Sequence, residues 1–470
     1  MSYSKICGII FSIALFILFF FTPPPQGLTL QAWYYLGIFL AVILGLILEP
    51  IPSALIGLIG VCSISILGLR GATPMENTLW ALSGFSNPII WLILSIFIFS
   101  IGYEKTGLGK RISLLLIKYL GKNSLGLGYA IAFADISLAP FVPSNTARSG
   151  CILYPIVINI PTIFHSSPEH ERRKIGAYVT WVSVCSMCVT SSMFLTALAP
   201  HLLLASSALN QVDVVISLDI WVDISLLLLA PLFLLVPLLV YIIYPPTQRV
   251  LPQATAWASL ELERMGRISF KEVLMALFAL ITLMIWLFAK KIGIDITIAV
   301  ISMIILMIVS GLITWDDVIK NPPTWNIFIW FSTLITLSSG LHHMKLTEWI
   351  GENMEIFLAL LSPHMVMVVM VILFFLLHYF FASLIAHVSV LLPLFVFIAS
   401  KFITHDQLTF FVVLLSSTIG LMGVLTPYST GASPIWYSAG YVSQKEWWSL
   451  GAIFGLIFMS VSLLGIFIFT

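Results

Sequence analysis

The stretch LGLGYAIAFADISLAPFVPSNTARSGCILYPIVINIPTI (residues 125–163) decides the fold. It is apolar over more than one membrane crossing, which takes about 20 residues, yet the polar cluster PSNTAR interrupts it near its middle. Lipid offers such a cluster no hydrogen-bond partner, so irregular backbone is tolerated there only where it is buried in protein or lines a wet cavity. We therefore predict a helical hairpin that enters the membrane and returns on the same side.

The composition of the whole chain is that of a polytopic membrane protein. Its 470 residues are 60% hydrophobic and only 9% charged, whereas about a quarter of the residues are charged in soluble domains. The net charge of +1 gives no electrostatic case for binding nucleic acid. The five cysteines lie in apolar segments without the spacing of a zinc site. We predict neither a metal nor a cofactor.

Further apolar segments predict an all-α protein with about 11 transmembrane helices and two re-entrant hairpins. The candidate spans are 5–21, 30–48, 53–69, 87–103, 176–208, 217–244, 272–289, 294–313, 325–341, 407–440 and 447–469. The second hairpin is predicted over 356–400, which HYFFASLIAH interrupts. If the N-terminus is cytoplasmic, fifteen of the 21 Lys and Arg residues fall in cytoplasmic segments, five fall outside and Arg148 remains. This bias favours a multi-pass protein of the inner cell membrane with a cytoplasmic N-terminus.

The chain also divides into two similar halves. Residues 84–112 align with 324–350 at an offset of about 238 residues, and the same alignment brings Arg148 opposite His387 with one residue of slip. An odd number of crossings in each half would orient the halves oppositely, which is typical of secondary transporters. We predict an N-terminal helix in 1–28, a first repeat in 29–244 with hairpin 125–163, a cytoplasmic linker in 245–271 and a second, inverted repeat in 272–470 with hairpin 356–400.

The two hairpin tips carry residues that predict an anion site. Ser144 and Ser383 are each positioned to cap the helix of the returning arm. Two helix N-termini would then direct their free N–H groups and positive dipole ends at one point. Arg148 costs about 2.5–3.5 kcal/mol in a membrane on insertion scales, and a substrate carboxylate would give it a bidentate partner.

Other interpretations of these residues remain open. Arg148 could pair permanently with Asp135, the only acid in the first hairpin, as a structural bridge, and the two roles are compatible. His387 could be a packed histidine, although its equivalence to Arg148 favours a functional role. Two further breaks, SSMFLTALAPHL (191–202) and LTPYSTGASP (425–434), contain prolines that free backbone groups, or they are ordinary kinks. The residues predicted to bind substrate are Ser144, Asn145, Thr146, Arg148, Thr196, Ser383, His387, Thr426, Pro427, Ser429 and Thr430.

The sequence resembles the divalent anion/sodium symporter family, and within it the exchanger branch of citrate/succinate and tartrate/succinate antiporters and 2-oxoglutarate/malate translocators. The resemblance rests on PFVPSNTARSG (140–150), SSMFLTALAP (191–200), HYFFASLIAH (378–387) and LTPYSTGASPIWYSAGYVSQKEWW (425–448), and it extends over essentially the whole chain after the first span. It implies two inverted repeats that form a scaffold and a mobile transport part. It also implies a homodimer and elevator-type alternating access.

Symporters of this family carry Ser-Asn-Thr at both tips, where the motif binds substrate carboxylates and helps to coordinate sodium. Here the first copy is intact at 144–146, whereas Leu384 and Ile385 replace the amide and the hydroxyl in the second copy. Those two side chains cannot ligate sodium, while Arg148 and His387 could supply fixed positive charge. The resemblance therefore favours exchange of di- or tricarboxylates, of the 2-oxoglutarate/malate or citrate/succinate type. A sodium-coupled dicarboxylate symporter is the alternative.

An intramembrane enzyme is a remote alternative from a different class. Ser144 and His387 could serve as nucleophile and base, but no acid lies near His387 in the sequence to orient its ring. An ion channel would need rings of acids or repeated carbonyl filters, which the sequence does not contain. We therefore predict a transporter of small carboxylate anions and not an enzyme.

Overall fold

The structure, a computed structural model, describes residues 3–48, 50–346, 348–349, 352–353 and 361–469, and the regular secondary structure of that part of the chain is helical. The first half contains α1 (Tyr3–Phe21), α2 (Leu30–Leu48), α3 (Ser53–Ile66), α4 (Pro74–Leu82), α5 (Pro88–Thr106), α6 (Leu108–Leu120), α7 (Ser124–Leu138), α8 (Tyr154–Val157), α9 (Asn159–Ile163), α10 (Gly176–Met193), α11 (Ala199–Val212) and α12 (Leu218–Ile243). The rest contains α13 (Pro252–Met265), α14 (Phe270–Ile292), α15 (Ile296–Val309), α16 (Trp315–Ile319), α17 (Pro322–His343), α18 (Pro363–Leu377), α19 (Leu384–Phe402), α20 (His405–Leu421), α21 (Ser433–Ser438) and α22 (Gln444–Phe469).

Local sequence signals fix many of the helix ends. The side chains of Asn87 and Asn123 accept hydrogen bonds from the first N–H groups of α5 and α7. Ser269 begins α14 with a reciprocal capping box. Gly107 and Gly293 end α5 and α14 in the left-handed conformation, which glycine adopts without steric cost. Apolar helices with polar caps are what the sequence predicts, and the all-α polytopic membrane fold is confirmed.

Seven helices among the described residues are long and apolar enough to cross a membrane. Four more apolar helices are shorter, namely α3, α7, α15 and the span 5–21 within α1. Two predicted spans are broken in the structure. Span 176–208 divides into α10 and α11, and span 407–440 divides into α20 and α21. The number of about 11 crossings stays a prediction.

The same order of helices occurs on both sides of α13. In the first half, α2 to α6 are followed by a hairpin, a broken helix and a final long helix. In the second half, α14 to α17 also precede a hairpin, a broken helix and a final long helix. Helix α3 packs against α17, and α15 packs against α5, so corresponding helices exchange partners between the halves. A two-fold relation between the halves requires this exchange. Opposite orientation of the halves in the membrane stays a prediction.

Part of the predicted linker 245–271 packs against the first half. Its helix α13 lies against α6, and an isolated bridge joins Asn123 to Val250. At its end, Arg111 on α6 donates to Glu272 through Nε at 2.5 Å and Nη2 at 3.3 Å, and to the carbonyl of Gly266 at 3.1 Å. This bidentate pair fastens the first half to the start of α14. The domain boundaries themselves stay predictions.

Both predicted hairpins contain two helical arms joined by an irregular tip. In the first, α7 is followed by a turn and by a returning arm that begins with the π-helical segment Thr146–Leu153. In the second, α18 leads through the 3₁₀ turn His378–Phe380 into α19. Residues 356–360 of the second predicted hairpin lie outside the described residues. In each hairpin the irregular tip coincides with the polar cluster that interrupts the apolar sequence.

Candidate functional site

The two hairpin tips are capped in the same way. The hydroxyl oxygen of Ser144 accepts a hydrogen bond from the N–H of Ala147 at 3.3 Å, and that of Ser383 accepts one from Ala386 at 3.4 Å. Each serine therefore satisfies a free donor in the first turn of its returning arm. The predicted capping role of both serines is confirmed, and the two tips correspond residue for residue.

Arg148 is fully buried behind the first tip. Its guanidinium donates to Asp135 Oδ2 at 3.1 Å, Val142 O at 3.2 Å, Ala197 O at 3.4 Å, Thr190 Oγ1 at 3.4 Å and Ser191 Oγ at 2.7 Å. A guanidinium has five N–H groups, so every donor of Arg148 has a protein acceptor. The structure thus contains the structural bridge to Asp135. A substrate carboxylate would have to displace one of these acceptors.

Asp135 completes this network from α7. Its Oδ2 also accepts a hydrogen bond from the hydroxyl of Thr190, whereas its Oδ1 is buried without a hydrogen-bond partner in the part of the chain that the structure describes. Because Asp135 and Arg148 stand on the two arms of the first hairpin, their ion pair holds the arms together. Both side chains are buried, so the pair is desolvated on both sides.

The first tip is also fastened to the unwound segment between α10 and α11. The hydroxyl of Thr196 donates to the carbonyl of Pro140 at 2.7 Å, and the N–H of Ala199 donates to the carbonyl of Pro143 at 3.1 Å. Arg148 adds a third connection through the carbonyl of Ala197. Thr196 is buried and its hydroxyl is occupied, so its role in the structure is to position the tip.

The side chains at the first tip itself keep free hydrogen-bonding groups. Asn145 is 6% exposed, and within the described residues neither its amide nor the hydroxyl of Thr146 has a hydrogen-bond partner. Ser144 and Thr146 are half-buried. A Cβ atom added to Gly431 would meet the hydroxyl of Thr146, so the first tip touches the second break. These are the groups that a ligand could contact without displacing a protein partner.

The second tip contains a different set of side chains. His387 is fully buried, and neither of its ring nitrogens has a hydrogen-bond partner among the residues described. Its ring lies against Phe374, Phe381 and His378, with centroid distances of 4.4, 4.9 and 5.0 Å. Leu384 is buried, and Ile385 and Ser383 are half-buried. Between the capping Ser383 and His387, the side chains of the tip are apolar.

The predicted residues of the second break shape that break. The hydroxyl of Ser429 donates to Gly423 O at 2.6 Å and accepts from the N–H of Thr426 at 3.3 Å. Thr430 shares a hydrogen bond with Ser433 at 2.9 Å and caps α21. Thr426, Ser429 and Thr430 are buried, whereas Pro427 is half-buried. The hydroxyls of Ser429 and Thr430 are thus engaged within the loop, and Pro427 is the accessible member of this group.

The two residues considered as nucleophile and base, Ser144 and His387, are not hydrogen-bonded to each other in the described structure. A nucleophile and base would be hydrogen-bonded to each other, but no partner lies within hydrogen-bonding distance of either nitrogen of His387 in the described chain. Across the same residues no group of three or more His, Cys, Asp or Glu side chains is arranged to hold a metal ion.

Sequence analysis missed several residues that hold the site together. Thr190 and Ser191 on α10 accept hydrogen bonds from the guanidinium of Arg148. Trp221 donates to the carbonyl of Met193, which the break in α10 leaves free, at 3.2 Å. The Ser-Ser pair at 191–192 was visible in the sequence as a hydroxyl cluster before the break. For Trp221 no local signal exists, because its contact depends on the packing of α12.

The chain matches the family described as "Sodium:sulfate symporter transmembrane region" over residues 3–469. The L-tartrate/succinate antiporters of Escherichia coli (strain K12) and Shigella flexneri are each 41% identical to it over 450 residues, which cover 93% of this chain and 92% of theirs. Two solved transporters share the fold at low identity. The Alcanivorax borkumensis YdaH transporter has a TM-score of 0.55 at 14% identity, over 89% of this chain and 98% of its own. Neisseria gonorrhoeae MtrF has a TM-score of 0.58 at 12% identity, over 100% and 95%.

Proposed function

The chain belongs to the divalent anion/sodium symporter family, and from this premise we propose that it exchanges dicarboxylates across the membrane. Relatives at 41% identity that align over nearly their whole length are named as antiporters of L-tartrate and succinate. Succinate and tartrate are therefore the first pair to test. The 2-oxoglutarate/malate and citrate/succinate pairs follow.

One observation favours exchange over sodium symport. Arg148 Nη1 donates both to Val142 O in the first hairpin and to Ala197 O in the unwound segment. Carbonyls of unwound backbone are the groups with which transporters of this architecture coordinate a coupling sodium ion. A covalently attached cation between two such carbonyls provides the charge that bound sodium would bring, and it cannot leave. A carrier with a permanent charge of this kind swaps one anion for another.

The second tip supports the same conclusion. Leu384 and Ile385 stand where symporters of the family have an amide and a hydroxyl, and neither side chain can coordinate a cation. His387, which follows the second cap as Arg148 follows the first, is a side chain of this tip that can carry positive charge. We propose that it faces the second carboxylate of the substrate across the helix N-terminus capped by Ser383.

The predicted site residues then fall into two groups. Those proposed to face the substrate are the accessible or unpartnered residues of the tips and of the second break, namely Ser144, Asn145, Thr146, Ser383, His387 and Pro427. Those proposed to position them are the buried and largely hydrogen-bonded residues Arg148, Thr196, Thr426, Ser429 and Thr430. In this proposal Arg148 acts on the substrate through its charge and through the tip that it holds, while the amide of Asn145 and the two helix N-termini bind the carboxylates.

The wider architecture is part of the proposal. Exchange of partners between the halves supports two inverted repeats, 29–244 and 272–470, joined by the linker 245–271. The family relationship supports a homodimer with elevator-type alternating access. The excess of Lys and Arg on one side supports an inner-membrane protein with a cytoplasmic N-terminus.

Counterflow in proteoliposomes tests the proposed function. Vesicles preloaded with succinate, L-tartrate, malate, 2-oxoglutarate, citrate or sulfate would be given labelled succinate outside, with empty vesicles as the control. We expect uptake in vesicles that contain a dicarboxylate and little uptake in empty vesicles. Equal uptake in empty and preloaded vesicles would contradict exchange. Uptake that follows internal sulfate alone would contradict the substrate class.

A further inference from the structure

Two buried histidines lie against each other behind the second hairpin tip. The ring centroids of His378 and His387 are 5.0 Å apart with an interplanar angle of 78°, and both side chains are fully buried. Phe374 and Phe381 cover other sides of His387. His378 belongs to the end of the entering arm and His387 to the start of the returning arm. The pair therefore spans the tip beside the cap of Ser383.

The hydrogen bonds of this pair are incomplete. His378 Nε2 lies 3.0 Å from the carbonyl oxygen of Ser429. Because a carbonyl only accepts, Nε2 carries the hydrogen, and in the neutral ring Nδ1 is then an acceptor. Neither this Nδ1 nor either nitrogen of His387 has a partner in the described structure. A buried polar atom without a partner costs about 1–3 kcal/mol, so three adjacent ones call for an explanation in function.

We propose that His378 and His387 together bind one proton, which is taken up when a dicarboxylate binds. A protonated His387 has two N–H donors, and Nδ1 of His378 is an acceptor that one of them reaches after the ring turns, since the centroids are only 5.0 Å apart. A neutral His387 has one N–H donor, which this acceptor would use; the added proton makes the second nitrogen a donor as well, and that donor is free to face the bound anion. This inference rests on the proposed function and adds a ligand, the proton, to the same site.

The surroundings leave the bound dianion as the partner for this charge. The helices packed against the two histidines carry two carboxylates, Asp406 on α20 and Glu446 on α22, and each lies in the first turn of its helix. Glu446 is paired with Arg172. The elements that hold the pair and those packed against it carry these other titratable side chains: Tyr34, Tyr35, His201, His364, Tyr379, Lys401, His405, Tyr428 and Lys445. A nearby anion favours the charged form of an imidazole, so binding of a dicarboxylate and binding of the proton would assist each other.

Titration calorimetry of the full-length protein in nanodiscs can count this proton. Succinate would be titrated at about pH 7.5, where its carboxylates are ionised because carboxyl pKa values lie near 4, in two buffers of different ionisation enthalpy. The dependence of the binding heat on the buffer gives the number of protons taken up per succinate. We expect uptake that approaches one proton in the wild type.

Two substitutions separate the pair from a single histidine. His378→Gln keeps an N–H donor for the carbonyl of Ser429 but cannot titrate, and His387→Phe keeps an aromatic ring in the cage. We expect both variants to bind succinate, with affinity reduced by about tenfold, and to lose proton uptake. His364→Gln, an exposed position on α18, is the matched control and should take up the proton as the wild type does.

The outcomes distinguish this inference from the proposed function. Absence of binding heat in the wild type would contradict the proposed function and the inference with it. Succinate binding without proton uptake in the wild type would contradict the inference alone. Full uptake in His378→Gln would also overturn it, because the proton would then belong to His387 or to another group. Loss of uptake in both histidine variants, with uptake retained in His364→Gln, supports the pair.

Discussion

The two hairpin tips share a backbone design and differ in how their side chains are bonded. Behind the first cap, Arg148 gives each of its five N–H groups to a protein acceptor. Behind the second, neither nitrogen of His387 has a partner among the described residues. The residues next to the two caps show the opposite pattern. At the first tip the amide of Asn145 has no hydrogen-bond partner among the described residues, whereas at the second tip Leu384 and Ile385 have no polar side-chain group.

This difference separates a permanent charge from a conditional one. At the first tip the positive charge is held in place by Asp135 and the other acceptors of Arg148, so it fixes the arms and the unwound segment whether or not substrate is present. At the second tip a charge would be stable only with an anion nearby. The two tips of a symmetric scaffold therefore form an asymmetric site. The charge of the first tip is present before substrate binds, and the second tip gains its charge when substrate binds.

The largest expected effect comes from removing the permanent charge. Arg148→Met leaves Asp135 buried without its partner, which costs about 3–5 kcal/mol in stability, so we expect a much lower melting temperature and no exchange. The matched double variant Arg148→Met with Asp135→Leu removes both charges. It should recover most of the thermal stability and still fail to exchange substrate.

Thermal unfolding in detergent and counterflow measure these two properties separately. If the single variant were as stable as the wild type, the ion pair would not hold the arms of the hairpin. If the double variant exchanged normally, the permanent charge would have no part in transport, and the comparison of the two tips would lose its functional meaning.

The next effect concerns the connection between the first tip and the unwound segment. Thr196→Val keeps the shape of the side chain but leaves the buried carbonyl of Pro140 without its donor. We expect a loss of about 1–3 kcal/mol in stability and a weaker apparent affinity for succinate. Thr162→Val is the control, because the hydroxyl of Thr162 donates only within its own turn. Equal effects of the two substitutions would show that Thr196 does not position the tip.

A third substitution makes the first tip resemble the second. Asn145→Leu removes an amide that has no protein partner in the described structure, so folding should be unchanged. We expect the apparent affinity for succinate to fall by at least about tenfold, or about 1.4 kcal/mol, because a carboxylate loses a donor. A normal apparent affinity in counterflow would show that Asn145 does not bind the substrate. A loss of folded protein would show that the amide has a structural role.

Only a small effect on stability is expected at the second tip. His387→Phe exchanges one ring for another of similar shape within an aromatic cage and breaks no hydrogen bond. A volume-conserving change of this kind costs less than about 1.5 kcal/mol, in contrast to the change at Arg148. A melting temperature as low as that of Arg148→Met would mean that His387 is a structural partner like Arg148.

The features that sequence reasoning predicted depend on local signals. A polar cluster within an apolar stretch identifies a hairpin tip, and a serine before the returning helix identifies its cap, so Ser144 and Ser383 were correctly assigned. The pairing of Arg148 with Asp135 could be anticipated as an alternative because Asp135 is the only acid in that hairpin. Unwinding near Thr196 and Thr426 followed from nearby prolines.

The remaining features depend on which helices meet in space. Nothing in the sequence near Arg148 indicates that Thr190 and Ser191 accept from it, since that contact requires α10 to cross the first hairpin. The contact between His378 and His387 arises because the chain reverses between them. The ion pair between Arg111 and Glu272 joins residues that are far apart in the sequence. Interhelical contacts of this kind produce no periodicity or motif in the sequence.

The most direct test of the central claim, that a built-in charge replaces coupling sodium, is the initial rate of labelled succinate uptake into proteoliposomes, measured with sodium or choline outside and with or without succinate inside. We expect internal succinate to raise the rate strongly and the replacement of sodium by choline to leave it unchanged. Uptake that rises steeply with external sodium and needs no internal succinate would overturn this claim and identify a sodium-coupled symporter.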